Sequence, residues 1–269
     1  MLGRYLALLA LVMAGRVVTA ADIGYFATQS TYTESQRLKV GMRFDPASKF
    51  SLSWASSKAK TALEDPNTSF LKLGYRYGTS GAKNFGIDLK VSDESYFFNG
   101  KSVSFKSSFP MGDETRLSLG MGLGVKTYTL SPSEFLSQGD LYAGFDHEIS
   151  EEWTTGVDIV LSKFSSNSEQ LSSALQGKTI SNSDFESHVG LLSKDAISLY
   201  MEYQLLDLIV GASVGADQLL IDGSRNTIAE IYSEYSWSRW ALSAAFARSK
   251  SDFSSTFIET TTLGLTLGF

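Results

Sequence analysis

Leu117-Ser118-Leu119-Gly120-Met121-Gly122-Leu123-Gly124-Val125 puts a large apolar residue at every odd position and a serine or glycine at every even one. A period of two is that of an extended strand whose neighbouring side chains leave on opposite faces. Alternation alone fits a soluble sandwich equally well, because one face of such a strand also packs on a core. The even face decides between them. It is small and polar throughout, as expected where lipid covers one side of a sheet and a wet lumen the other.

The same pattern recurs on both sides of this stretch. Before it stand Leu38, Val40, Met42 and Phe44, then Leu71, Leu73, Tyr75 and Tyr77, then Phe85, Ile87, Leu89 and Val91. After it come Trp153, Thr155, Val157, Ile159 and Leu161, followed by Ile197 to Leu205, Leu208 to Val214 and Trp240 to Phe246 at the same spacing. Asp45-Pro46, Asn99-Gly100, Ser193-Lys194-Asp195 and Ser238 read as turns, and 165–182, 217–226 and 249–255 as longer polar loops. The aromatic pairs Phe44 and Phe50, Tyr77 and Phe85, Phe145 and Trp153, and Trp237 and Trp240 fall at strand ends. An amphipathic ring is favoured there at headgroup depth, although the rim of a soluble sandwich offers it a place too.

These runs predict an all-β chain folded as a closed antiparallel transmembrane barrel. Counting every run gives about fifteen strands, whereas single-chain barrels close with an even number; the expectation is therefore about 14, with 12 or 16 as alternatives. Reading the strand directions forward from Ile23 and backward from Phe269 brings the two phases into conflict between Phe185 and Tyr203.

At the N-terminus, Arg4 precedes the apolar run Tyr5 to Ala14 and a small-residue end at Val18-Thr19-Ala20-Ala21. That is the pattern of a secretory signal peptide, too short to span a bilayer, so the expected division is 1–20 as signal peptide and 21–269 as barrel. No later stretch is apolar for the roughly 20 residues a membrane helix needs. The chain has no cysteine, which excludes a disulfide scaffold and a lipidated N-terminal cysteine. Its net charge is -6, and removing Arg4 and Arg16 makes it more negative, which argues against a nucleic-acid partner.

The chain ends Thr262-Leu263-Gly264-Leu265-Thr266-Leu267-Gly268-Phe269, with Leu263, Leu265, Leu267 and Phe269 on one face of the last strand. This ending resembles the C-terminal strand of Gram-negative outer-membrane β-barrel proteins, porin-like ones included. The resemblance implies export to the outer membrane, with membrane lipid as surroundings and the barrel assembly machinery as a partner that reads those four residues. It leaves the oligomeric state open.

If the apolar face meets lipid, the alternate positions point inward, and their charges separate along the chain. The expected lumen-facing bases are Arg37, Lys39, Arg43, Lys72, Arg76, Lys90, Lys106, Arg116 and Lys126, with Asp88 the acid among them. The expected lumen-facing acids are Asp140, Asp146, Glu148, Asp158, Glu186, Glu202, Glu230 and Glu234. Sequential strands are neighbours around a barrel, so a basic wall faces an acidic one. The transverse field that results orients dipolar solutes in the lumen. This charge pattern is similar to the constriction of general porins and points to passive diffusion of small hydrophilic solutes, with no cofactor and no catalytic or metal residue expected.

Three alternatives remain open at this stage. The charged groups could pair and fill the lumen. The barrel could be a lipid or peptide hydrolase, with His188 inward and two residues from Glu186, and His147 on the lipid register. Or the serine-rich segment 165–182 could serve adhesion or anchoring.

Overall fold

The structure, a computed structural model, describes residues 18–31, 33–60, 67–78, 84–93, 98–128, 131–165, 193–219, 223–251 and 257–269. It is a closed barrel of 14 strands in sequence order: β1 (Ala20–Ser30), β2 (Thr33–Asp45), β3 (Ser48–Ala59), β4 (Asn67–Tyr77), β5 (Asn84–Asp93), β6 (Phe98–Pro110) and β7 (Thr115–Tyr128). The second half comprises β8 (Ser131–Glu148), β9 (Trp153–Phe164), β10 (Ser193–Leu205), β11 (Leu208–Leu219), β12 (Arg225–Trp237), β13 (Trp240–Ser251) and β14 (Phe257–Gly268). Every neighbouring pair is antiparallel, and β14 closes on β1 through Leu267↔Ile23, Leu265↔Tyr25 and Leu263↔Ala27. Phe269 adds two further backbone bonds to Ala21, at 2.7 and 3.3 Å. Closure leaves no strand edge, so the backbone donors and acceptors find partners inside the wall, as a hydrocarbon surround demands.

Two adjacent hydrogen-bonding rows show why this sequence closes with one face out. Partners across an antiparallel ladder share a face. Following one row from β1 to β7 meets Ile23, Val40, Leu52, Leu73, Leu89, Val103 and Leu123, without interruption by a polar residue. The row beside it meets Asp22, Gly41, Ser51, Gly74, Asp88, Ser104, Gly122 and, on β8, Asp140. A slip of one residue between any two strands would exchange the rows, so the register is strongly specified. The apolar face is the outer one: Leu123 is 69 % exposed, Ile231 61 % and Leu263 58 %. In water such a surface would be prohibitive; in lipid it is the contact surface.

Both ends of the described chain, Val18 and Phe269, and three two-residue connections, 46–47, 206–207 and 238–239, lie at one end; the joins from Ser30 to Thr33 and from Tyr128 to Ser131 are equally short and lie at the other. Leu206 and Ser238 each open their two-residue turn with left-handed backbone, φ 53° in both. The longest step between consecutive strands, from Phe164 to Ser193, joins strand ends at that other end; outer-membrane barrels generally place their longer connections outside and their short turns in the periplasm. The aromatic pairs gather outward at the short-turn end: Trp237 and Trp240 stack at 6.5 Å, and Trp153 and Tyr203 meet at 4.8 Å. At the same end Met42, Phe44, Phe50 and Leu73 pack with Val18, Ala21, Val40 and Leu52.

Several sequence expectations about turns need correction. Asn99-Gly100 is not a hairpin turn but part of β6, where Gly100 pairs with Ser92 and Lys126. Ser193-Lys194-Asp195 lies in β10, and what looked like a turn is a register irregularity between Ser193 and Asp195. β11 and β13 run into the supposed loops, to Leu219 and Ser251. The conflict of strand directions disappears because β9 pairs directly with β10, Asp195↔Leu161 to Tyr203↔Trp153, so the wall closes without a strand between them.

Candidate functional site

Fourteen strands at a spacing of about 4.8 Å and a tilt of about 40° enclose a wall roughly 28 Å across. Long side chains reaching about 6 Å inward, bases from one wall and acids and tyrosines from the other, leave a gap between them, whereas an eight-stranded barrel is filled by its own side chains. The inner positions of this wall are also rich in glycine and serine. The geometry therefore favours a wet lumen over a packed one.

The register places the expected bases Arg37, Lys39, Arg43, Lys72, Arg76, Lys90, Lys106, Arg116 and Lys126 on the inner face, from β2 to β7. Lys90 and Asp88 are placed by their register positions. Arg37, Lys39, Arg43, Lys72, Arg76, Lys106 and Arg116 are exposed although they point into the barrel, so water reaches them there. Arg43, Lys49 and Arg76 are direct partners on β2, β3 and β4, and the same row continues through Gly86 to Lys106, Gly120 and Tyr142. Rows run perpendicular to tilted strands, so this one climbs from the short-turn end at Arg43 to the interior of β8 at Tyr142. Arg37 lies over the Phe70 ring at 5.7 Å from its centre, and Lys49 pairs with Asp22 at 2.9 Å. Lys49 escaped the sequence reading because serine-rich β3 has too little apolar contrast to set its register, and its partner Asp22 stands among the first residues of β1, next to the expected cleavage point.

The expected acids Asp140, Asp146, Glu148, Asp158, Glu202, Glu230 and Glu234 occupy the inner register of β8 to β12. Glu186 and His188 lie outside the described residues. Among the described residues no lysine or arginine stands on the inner register of β8 to β12. Tyrosines stand there instead, and they organise the wall. The Tyr200 hydroxyl donates to Asp146, the Tyr142 hydroxyl to Asp158, and the Tyr232 hydroxyl to Glu202 at 2.6 Å.

Each tyrosine needs a glycine. Tyr200 on β10 crosses Gly156 on β9 to reach Asp146 on β8, and Tyr232 on β12 crosses Gly211 on β11 to reach Glu202 on β10. A β-carbon on Gly156 would come within 2.5 Å of the Tyr200 ring. On the other flank the Lys106 ammonium crosses Gly120, lies 3.7 Å from the centre of the Tyr142 ring and donates to its hydroxyl. Tyr142 thus joins the last base of the climbing row to the first acids. Asp146, Asp158 and Glu202 are half-buried and held along the wall, while Arg43, Lys72, Arg76 and Arg116 on the facing wall are exposed, as are the inner acids Glu148 and Glu234.

A cavity of about 540 Å³ at the short-turn mouth is lined by Arg116, Asp146, Glu148, Thr154, Tyr200 and Glu202, together with residues 110 and 112–115 at the β6–β7 turn. The seam between the two charged walls, β13, β14 and β1, is neutral apart from Asp22, with Ser243, Ala245, Ala247, Thr260, Thr262 and Thr266 inward. His147 is on the outward register and shares a 3.1 Å hydrogen bond with Thr115, away from the lumen. Tyr200→Phe should leave Asp146 without its donor and lower stability by about 1 kcal/mol, read as a lower denaturation midpoint; an unchanged midpoint would mean the hydroxyl contributes nothing there.

Comparison with solved structures agrees with this architecture. The CymD monoaromatic hydrocarbon channel aligns with a TM-score of 0.58 at 12 % identity, over 97 % of this chain and 91 % of that one. Acinetobacter baumannii Omp33, an outer membrane protein, aligns at 0.51 and 10 % identity, over 93 % and 97 %. The KdgM porin aligns at 0.50 and 9 % identity, over 92 % and 99 %. At these identities the likeness is one of fold, that of outer-membrane channel barrels. No protein-family profile and no curated protein matches the sequence.

Proposed function

We propose that the chain is an exported Gram-negative outer-membrane barrel that conducts small hydrophilic solutes passively through its lumen. Residues 1–20 are removed on export, and the C-terminal face of Leu263, Leu265, Leu267 and Phe269 is read by the assembly machinery. The observation that carries the reading is the pair of unlike walls. Water-exposed inner cations on β2 to β7 face an acidic wall on β8 to β12 in which tyrosines hold back three carboxylates, Asp146, Asp158 and Glu202. Such a field orders water and aligns a dipolar solute across the passage without offering it a closed pocket. The cationic side projects further, so the channel prefers small anions and zwitterions to cations of equal size. The fold of CymD and the KdgM porin, each a channel or porin by its own description, supports a conducting barrel.

Liposome swelling tests this directly. Vesicles holding the refolded protein should swell fastest in isotonic solutions of small zwitterions and neutral solutes, and more slowly as solute size rises. Swelling no faster than that of protein-free vesicles, with insertion demonstrated, would contradict the proposal.

A further inference from the structure

The outer wall carries a charge asymmetry that the lumen does not explain. Following the outward register to the loop-side ends of the strands meets Lys58 on β3, Lys101 on β6, Lys163 on β9, Arg225 on β12, and Arg248 and Lys250 on β13. All six are exposed. Among the described residues the short turns at the opposite end carry Asp113, Glu114, Glu151, Glu152 and Asp207, with Arg239 as a basic exception. Among the described residues outward acids on the loop side are fewer: Glu259, 3.7 Å from Arg248, Glu34, 3.7 Å from Lys60, Asp195, and by register Asp93.

The cations concentrate between β12 and β14. Arg248 lies 3.8 Å and Lys250 5.5 Å from the centre of the Phe257 ring, which is itself 42 % exposed. Lys250 pairs across the ladder with Thr227, two residues from Arg225, so the three cationic heads share one patch. Beside it a groove of about 400 Å³ runs along the outer wall, lined by Ile159, Leu161, Ile197 and Gln218, with Asp195 and Arg225 also on its wall. An apolar groove on the lipid-facing surface bordered by a cationic patch is complementary to an acyl chain with a phosphate at its head.

We propose that this part of the outer wall binds a phosphorylated lipid of the outer leaflet, with an acyl chain along Ile159, Leu161 and Ile197 and its phosphates on Arg225, Arg248 and Lys250. The inference rests on the barrel and its orientation and not on conduction, since none of the three cations faces the lumen.

The test uses the refolded full-length barrel in detergent, titrated with lipid A, with the same lipid after removal of its phosphates, and with inorganic phosphate. Lipid A should raise the apparent unfolding midpoint in a concentration-dependent way, while the dephosphorylated lipid and inorganic phosphate do little. The triple variant R225S/R248S/K250S should need about tenfold more lipid A for the same rise, with its conductance unchanged. Should that variant not refold, Lys250→Glu alone, a change at one exposed head, should move the titration in the same direction. An equal rise with dephosphorylated lipid, a rise with inorganic phosphate alone, or a titration untouched by the substitutions would overturn the proposal.

Discussion

Replacing Arg43, Arg76 and Lys106 together with glutamine should move the ion preference of the open channel from anions to cations. Arg43 and Arg76 flank Lys49 in one hydrogen-bonding row, and Lys106 continues it two strands on. All three are exposed to the lumen, so their charge acts on a passing ion through water and at short range. The opposing acids Asp146, Asp158 and Glu202 remain in place, tied to Tyr200, Tyr142 and Tyr232. Removing three positive charges from one side of a balanced field leaves the other side unopposed. A change in relative permeability of several-fold, on the order of 1 kcal/mol, is expected as a change in sign of the reversal potential under a salt gradient. A potential identical to that of the unaltered protein would mean that the row does not line the conducting path.

The second large effect concerns the glycines on which the tyrosines lie. Gly156→Val should destabilise the barrel by about 1–3 kcal/mol, the usual range for added bulk in a packed position. The first added carbon would meet the Tyr200 ring at Cε1 and Cζ, both at 2.5 Å. The ring must then leave the wall, and Asp146 loses the hydroxyl that holds it. Combining Gly156→Val with Tyr200→Ala should recover part of the loss, because the clash has gone. A double-mutant cycle in denaturant reads this as a coupling term. Additive losses would show that ring and glycine do not depend on each other.

The strands were legible because lipid and water impose opposite demands on the two faces, and Leu117 to Val125 displays both without ambiguity. The even count followed from closure, although counting every alternating run offered one too many. Local turn signals misled where the ladder continued past them. Asn99-Gly100 favours a turn in isolation, but as part of β6 both residues pair with β5 and β7, and those ladder bonds outweigh a dipeptide preference. Strand ends at Leu219 and Ser251 were hidden for a related reason: beyond the lipid zone the ladder persists while the apolar alternation that reveals it does not.

The basic wall was legible because lysine and arginine alternate with large aliphatic residues, so register and charge could be read together. The tyrosine wall was not. Tyr142, Tyr200 and Tyr232 occupy inner positions, yet a tyrosine in an alternating strand reads as an interfacial or outward residue, and its role depends on a glycine one strand away and a carboxylate on another strand. Such triads are set by the register between strands, which no single stretch of sequence contains. A tyrosine in phase with the small residues of its own strand, as Tyr200 is with Ser198, was the signal available.

Single-channel recording of the refolded protein in a planar bilayer, with and without a salt gradient, tests the central claim most directly. Stepwise, stable openings with a modest preference for anions are the predicted result, because the lumen is wet and its cations reach furthest into it. A bilayer that stays sealed although insertion is demonstrated, or openings that strongly prefer cations, would contradict the account.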